Sequence, residues 1–235
     1  MSSGQEQGIL GRLVGGMIRR SVRRRFRAVY WSGPVCELGD VRVPFDGSEP
    51  VIFAANHHGW HDGYLMFHLV TRLGTPALDW IAEFDAFPLF AKVGGMPFPV
   101  DDPLRRAMTV RRTIERMQGE GRSLVLFAEG TLHRPPELLA FGDALGFVAR
   151  KVPGVRVVPV AILYDMSMHE RPEAFLRMSL PVAPGPDVAE ESRSSLVHSL
   201  EELRADVLAR PESFEVLVQG TRDVNERWDM RRARP

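Results

Sequence analysis

Cysteine is almost absent from this chain of 235 residues, Cys36 being its one thiol. A single cysteine excludes an internal disulfide, and with no cleavable signal sequence in view a reducing, cytoplasmic setting is the expectation. No motif flanks Cys36 that would mark it as a nucleophile. Lysine is nearly as scarce, Lys92 and Lys151 standing against a long series of arginines. Neither sign of charge is in excess, since 30 basic residues balance 30 acidic ones, so nothing global points to nucleic acid. A spanning helix needs about 20 consecutive apolar residues, and the N-terminal apolar stretch is too interrupted by arginine to supply them. Gly-x-Ser-x-Gly, the P-loop and the dinucleotide fingerprint are all missing, which leaves serine hydrolase, nucleotide phosphatase and dehydrogenase readings without support. There is no internal repeat, no low-complexity tract and no long linker.

What is present alternates between strand and helix patterns. Val51–Ala55 is a short apolar run bounded by turn residues, too brief for a helix, and reads as a buried strand. Residues 78–82, 96–100, 123–128 and 155–163 read the same way, with helical stretches expected around 86–93, 103–118 and 143–151. Asp101-Asp102-Pro103 is a good helix start, carboxylates ahead of a proline at the first helical position. Leu196, Leu200, Leu203 and Val207 recur at helical spacing, which predicts an amphipathic helix over 189–209 covering the core. Residues 132–142, with Pro135 and Pro136, read as an irregular loop. The expectation is an α/β fold, a central mixed sheet flanked by helices, with residues 34–235 forming one domain.

Ahead of that domain, residues 1–33 form a basic segment. From Ile9 to Trp31 the apolar Leu13, Val14, Met17, Ile18 and Val22 fall mostly on one side of a helix and Arg19, Arg20, Arg23 and Arg27 on the other. That pattern suits a helix lying in the headgroup layer of an anionic membrane, and peripheral attachment to the cytoplasmic face is expected. The competing reading is a helix that packs its apolar face on the protein's own core.

The most informative segment is Asn56-His57-His58-Gly59-Trp60-His61-Asp62, directly after the first strand. It sets His57 at the strand exit and Asp62 at the start of a second amphipathic helix, where the carboxylate could cap backbone amides and also face the loop. A loop of that length can bring imidazole and carboxylate together. The carboxylate then fixes the tautomer and stabilises the imidazolium formed when the other ring nitrogen takes a proton, so the pair can activate a hydroxyl near neutral pH.

These residues resemble the lysophosphatidate acyltransferase family, within the broader glycerolipid acyltransferases, which shows an asparagine, a histidine, four residues and an aspartate after a strand. Three further blocks match in order: Gly95-Met96-Pro97-Phe98-Pro99-Val100-Asp101, then Phe127-Ala128-Glu129-Gly130-Thr131, then Val158-Pro159-Val160-Ala161. The resemblance spans roughly residues 50 to 165. It implies transfer of a fatty acyl chain from an acyl-carrier-protein or coenzyme A thioester to the hydroxyl of a lysophospholipid or related lipid. His57 is then the general base and Asp62 its orienting partner. Asn56, Glu129, Gly130, Thr131 and Arg134 are the expected substrate contacts. The thioester is a co-substrate, and neither a resident cofactor nor a metal is expected.

Departures from the family pattern sharpen the expectation. Ala128 replaces the usual proline and Leu132 the usual arginine of the third block, and Asp102 stands where the second block closes on arginine. Gly142-Asp143 occupies a place where relatives commonly carry lysines. Arginine binds phosphate bidentately, whereas aspartate repels it. The acceptor is therefore expected to be a less charged lipid alcohol than lysophosphatidate, unless Arg105, Arg106 or Arg134 substitutes from a neighbouring position. Two other classes stand beside this one: a metal-dependent hydrolase built on His57, His58 and His61, and a non-catalytic lipid-binding protein of the same fold.

Overall fold

The computed structural model describes residues 8–33 and 49–228; Cys36 lies outside them. In chain order come α1 (Ile9–Arg25), β1 (Ala28–Ser32), β2 (Val51–Ala55), α2 (Asp62–Arg72), β3 (Ala77–Ile81), β4 (Gly95–Pro97), α3 (Pro103–Glu120), β5 (Ser123–Phe127), α4 (Ala144–Lys151), β6 (Arg156–Asp165), β7 (Glu173–Met178), α5 (Val188–Ala209), β8 (Glu215–Gln219) and α6 (Val224–Arg227). The strands form one mixed sheet in the order β4-β3-β5-β2-β6-β7-β1-β8. The expected α/β architecture is the one found.

The central strands explain their own position. All five residues of β2 are buried, as a parallel strand covered on both faces requires. Val51, Phe53 and Ala55 enter one core with Val22 of α1 and Leu65, Met66 and Leu69 of α2. Ile52 and Ala54 enter the opposite core with Met117 of α3, Leu145 and Val148 of α4 and Val188 of α5. β2 runs parallel to β5 and β6, with Ala55 in register with Phe127 on one side and Val160 on the other. The three strands therefore deliver their carboxyl ends to one rim of the sheet, where ligand sites of open α/β sheets are built.

Several sequence expectations need correction. The N-terminal helix does not run to Trp31: it ends at Arg25, and residues 28–32 form β1, parallel to β7 and antiparallel to β8. The segment is thus stitched into the sheet. Its apolar residues also divide into two sets, with Val14, Ile18 and Val22 buried and Ile9, Leu10, Leu13 and Met17 exposed. The helix expected over 86–93 is two short 3-10 turns, Phe84–Ala86 and Pro88–Val93. They end at Gly94, whose φ of 105° and closeness to the Ala77 carbonyl, 2.1 Å from any added Cβ, admit only glycine. β4 is three residues rather than five.

Candidate functional site

At the rim, Asn56 is the first residue past β2 and has no exposed surface. Its Oδ1 accepts from the Ile162 amide at 2.7 Å, and its Nδ2 donates to the Ile162 carbonyl at 3.0 Å. The side chain thereby continues the β2–β6 pairing beyond the last strand residue. Its remaining amide hydrogen reaches His58 Nδ1 at 3.1 Å, and His58 Nε2 donates to the Glu137 carbonyl at 3.0 Å. Both nitrogens of His58 are so engaged, and burial holds its pKa below the usual histidine value.

His57 and Asp62 meet. His57 Nδ1 donates to Asp62 Oδ2 at 3.0 Å, its ring stacks on Phe127 at 4.3 Å between centroids, and its Nε2 has no partner among the described residues. With 24% of the His57 side chain exposed, the free nitrogen is open to solvent. Asp62 is fully buried and receives three donors: His57 Nδ1, the Gly59 amide at 2.8 Å, and the Tyr164 hydroxyl on Oδ1. A carboxylate can only accept in this arrangement, so the proton sits on His57 Nδ1 and the lone pair on Nε2. Asp62 does not cap α2, as the sequence allowed; it is the helix's first residue and turns its carboxylate back into the loop.

Tyr164, near the end of β6, is the site residue that sequence reasoning missed. Burial, with Asp62 adjacent, raises its pKa far above the usual phenol value, so it stays a hydroxyl donor. Its ring lies over Gly59, where a Cβ would fall 2.4 Å from a ring carbon, so the loop needs glycine there. Phe26, just after α1, packs on both Tyr164 and His61.

Glu129 follows β5, and its side chain is fully buried. Oε1 accepts from the His57 amide at 2.8 Å; Oε2 accepts from the Leu139 amide at 2.7 Å and from His133 Nε2 at 2.5 Å. The carboxylate is the node joining the His57 turn to the 132–142 loop, which is further tied by the His133 amide on the His57 carbonyl and the Gly142 amide on the Ala128 carbonyl. Gly130 turns the chain at φ 73°. Gly130, Thr131 and Arg134 are exposed on that turn and its continuation.

The trio His57, His58 and His61 does not converge. His61 is held between Phe26, Trp60 and Tyr64. The group whose ligand atoms do come within 4.8 Å of one another is His58, Glu129 and His133. His133 Nδ1 sits 3.1 Å from the Arg134 carbonyl, and every ligand atom of the three is already spent on a protein partner. The arrangement is a loop clamp.

One partly buried acid lies beside the dyad. Asp79, on β3, keeps some exposed surface, yet its Oδ1 is sealed from solvent without a hydrogen-bond partner. Burial pushes its pKa up to about 7, against the opposing pull of His57 and the Trp80 amide. The unfolded chain ionises this group near 3.8. Stability is therefore undiminished at lower pH, falls as pH rises from there to about 7, and carries the whole penalty above that. Asp79→Asn is expected to raise the unfolding free energy by roughly 2–4 kcal/mol at about pH 8 and to leave it nearly unchanged at about pH 3, read by urea titration at both. An equal effect at the two pH values contradicts the assignment.

The acyltransferase family model matches residues 37–163, a span holding β2 to β5 and most of β6, the His57–Asp62 pair and the Glu129 turn. No curated protein matches the chain.

Proposed function

The chain belongs to the acyltransferase family, and from that premise we propose that it moves a fatty acyl group from an acyl-carrier-protein or coenzyme A thioester to the hydroxyl of a lipid. The observation that carries the reading is the His57–Asp62 pair with Nε2 unpartnered at the open rim. The acceptor hydroxyl gives its proton to Nε2 as its oxygen attacks the thioester carbonyl. The new C–O bond forms, the C–S bond breaks, and the departing thiolate takes the proton back from the imidazolium. Both reactants held in line make an acyl-enzyme unnecessary. Asp62 and Tyr164 orient the base, and Glu129 fixes the turn that carries it. Thr131 and Arg134, exposed on that rim, are free to meet a substrate.

The acceptor we favour lacks a phosphomonoester. Asp102 caps α3 through the Arg105 amide at 2.8 Å, so an acid sits where relatives carry arginine. Arg105 is tied bidentately to Asp85 at 2.6 and 2.7 Å, and Arg106 Nη1 to the Val100 carbonyl at 2.8 Å. Both guanidinium groups already have protein partners, which leaves Arg134 as the candidate substitute. With radiolabelled acyl donors of both kinds offered to neutral lipid alcohols, larger-headed lysophospholipids and lysophosphatidate, the first two classes are expected to be acylated faster. Lysophosphatidate as the fastest acceptor would reverse this choice.

We place the protein on the cytoplasmic surface of a membrane. No helix among the described residues is long and apolar enough to cross one, but Ile9, Leu10, Leu13 and Met17 are each at least half exposed along α1. Trp60, in the His57 loop, is exposed as well. An amphipathic helix of this kind lies in the headgroup layer.

A further inference from the structure

Arg19, Arg20, Arg23 and Arg24 line an open cavity of about 520 Å³ on α1, bounded by Gly16, by Gln219 at the end of β8, and by Gly220 and Thr221 beyond it. None of the four guanidinium groups has an ion pair or side-chain hydrogen bond among the described residues. The contrast with the surrounding corner is sharp. There Arg27 pairs with Glu226 at 2.5 Å and Glu173 at 3.5 Å, while Arg171 and Arg227 reach Glu170 at 3.7 and 3.9 Å. Arg19 with Arg23, and Arg20 with Arg24, are like-charge pairs four residues apart, which repel on a helix. A neutral chain that supplies acids to the adjacent arginines and none to these four has left a positive concavity complementary to an anion.

The far wall is firmly built. The Gly220 amide donates to the Arg27 carbonyl at 3.0 Å and the Thr221 amide to the Phe26 carbonyl at 2.9 Å. Thr221 Oγ1 donates to the Arg23 carbonyl at 2.8 Å. A Cβ on Gly220 would lie 2.0 Å from the Phe26 carbonyl oxygen, so glycine is what lets this loop close against the end of α1. Gly16 leaves the side of the cavity clear, since even a Cβ added there would have nothing within 4 Å. Guanidinium groups grip phosphate oxygens bidentately and keep their charge at any physiological pH.

We propose that this cavity binds the phosphate of an anionic phospholipid headgroup in the bilayer on which the protein docks. The inference rests on the membrane placement argued above and adds to it a discrete site. Ile9, Leu10, Leu13 and Met17 stand exposed ahead of the arginines on the same helix. A lipid satisfies both halves of α1, its phosphate on the arginines and the surrounding acyl layer on the apolar residues. A soluble phosphate or an acidic carrier protein leaves the apolar half in water.

The test uses the full chain, with dihexanoyl phosphatidylglycerol below its micelle concentration, inorganic phosphate, and vesicles of phosphatidylcholine containing either phosphatidylglycerol or an equal charge of oleate. Saturable binding of the short-chain lipid is expected, weakened roughly thirtyfold in Arg20→Gln/Arg23→Gln. No change is expected in Arg111→Gln/Arg112→Gln, which removes the same charge from α3. Vesicles with phosphatidylglycerol should bind more tightly than those with oleate. Inorganic phosphate binding as tightly as the lipid, equal weakening by the α3 variant, or vesicle binding only through an added acidic carrier protein overturns the site. Wild type that pellets with phosphatidylglycerol vesicles while Arg20→Gln/Arg23→Gln pellets equally well overturns the headgroup site and leaves membrane attachment standing. Failure to pellet with any vesicle overturns both. Circular dichroism of each variant separates these outcomes from misfolding.

Discussion

Asp62→Asn is expected to lower acyl transfer roughly a thousandfold or more while leaving the fold intact, by analogy with the loss when the orienting aspartate of a histidine base becomes an amide. Three donors converge on the Asp62 carboxylate: His57 Nδ1, the Gly59 amide and the Tyr164 hydroxyl. An asparagine offers one acceptor oxygen and an NH₂ group that must donate. With the NH₂ group toward His57, Nδ1 has to become the acceptor, and the hydrogen moves to Nε2. The base then faces the substrate with a proton already on it. Tyr164→Phe keeps both members of the pair and removes one donor, so it belongs between the two, with a loss of roughly tenfold. Initial rates of labelled ester formation, beside far-ultraviolet circular dichroism, check both. An Asp62→Asn enzyme within tenfold of wild type contradicts this account of the base.

Glu129→Ala should have the largest effect on stability, a fall of about 3–5 kcal/mol in unfolding free energy. The side chain is fully buried and serves three donors, the His57 and Leu139 amides and His133 Nε2. Alanine strands all three, and the two backbone amides cannot turn toward other acceptors. The His57 turn and the 132–142 loop lose their common anchor, so activity is expected to fall with stability. Urea unfolding measures the first quantity; a change below about 1 kcal/mol would show that water replaces the carboxylate at little cost.

The residues that announced themselves in the sequence did so because their interactions are local. Val51–Ala55 is five consecutive apolar residues because both faces of β2 are covered, and His57 reaches Asp62 across a span of only five positions. Glu129 stood out through its block, but its function as a node did not, since two of its three donors are backbone amides that leave no trace in side-chain identity. Tyr164 meets Asp62 across 102 positions and only after β6 has paired with β2. The far half of the sheet was hidden for a different reason. β8 is largely exposed, so Glu215–Gln219 carries no alternation of buried and open residues. β1 follows α1 after only Phe26 and Arg27, with no glycine or proline between them to mark the change of period. In α1 the error was one of sides: a helix that presents one apolar set to the core and another outward does not resolve into a single stripe.

The most direct test of the central claim is single-turnover transfer of a labelled acyl group from its thioester to a neutral lipid alcohol, comparing wild type with His57→Ala at equal folded concentration. The geometry predicts labelled ester from wild type and a rate lower by on the order of a thousandfold in the variant. Ester formation by His57→Ala within tenfold of wild type would contradict the assignment of the base and, with it, the mechanism built on the His57–Asp62 pair.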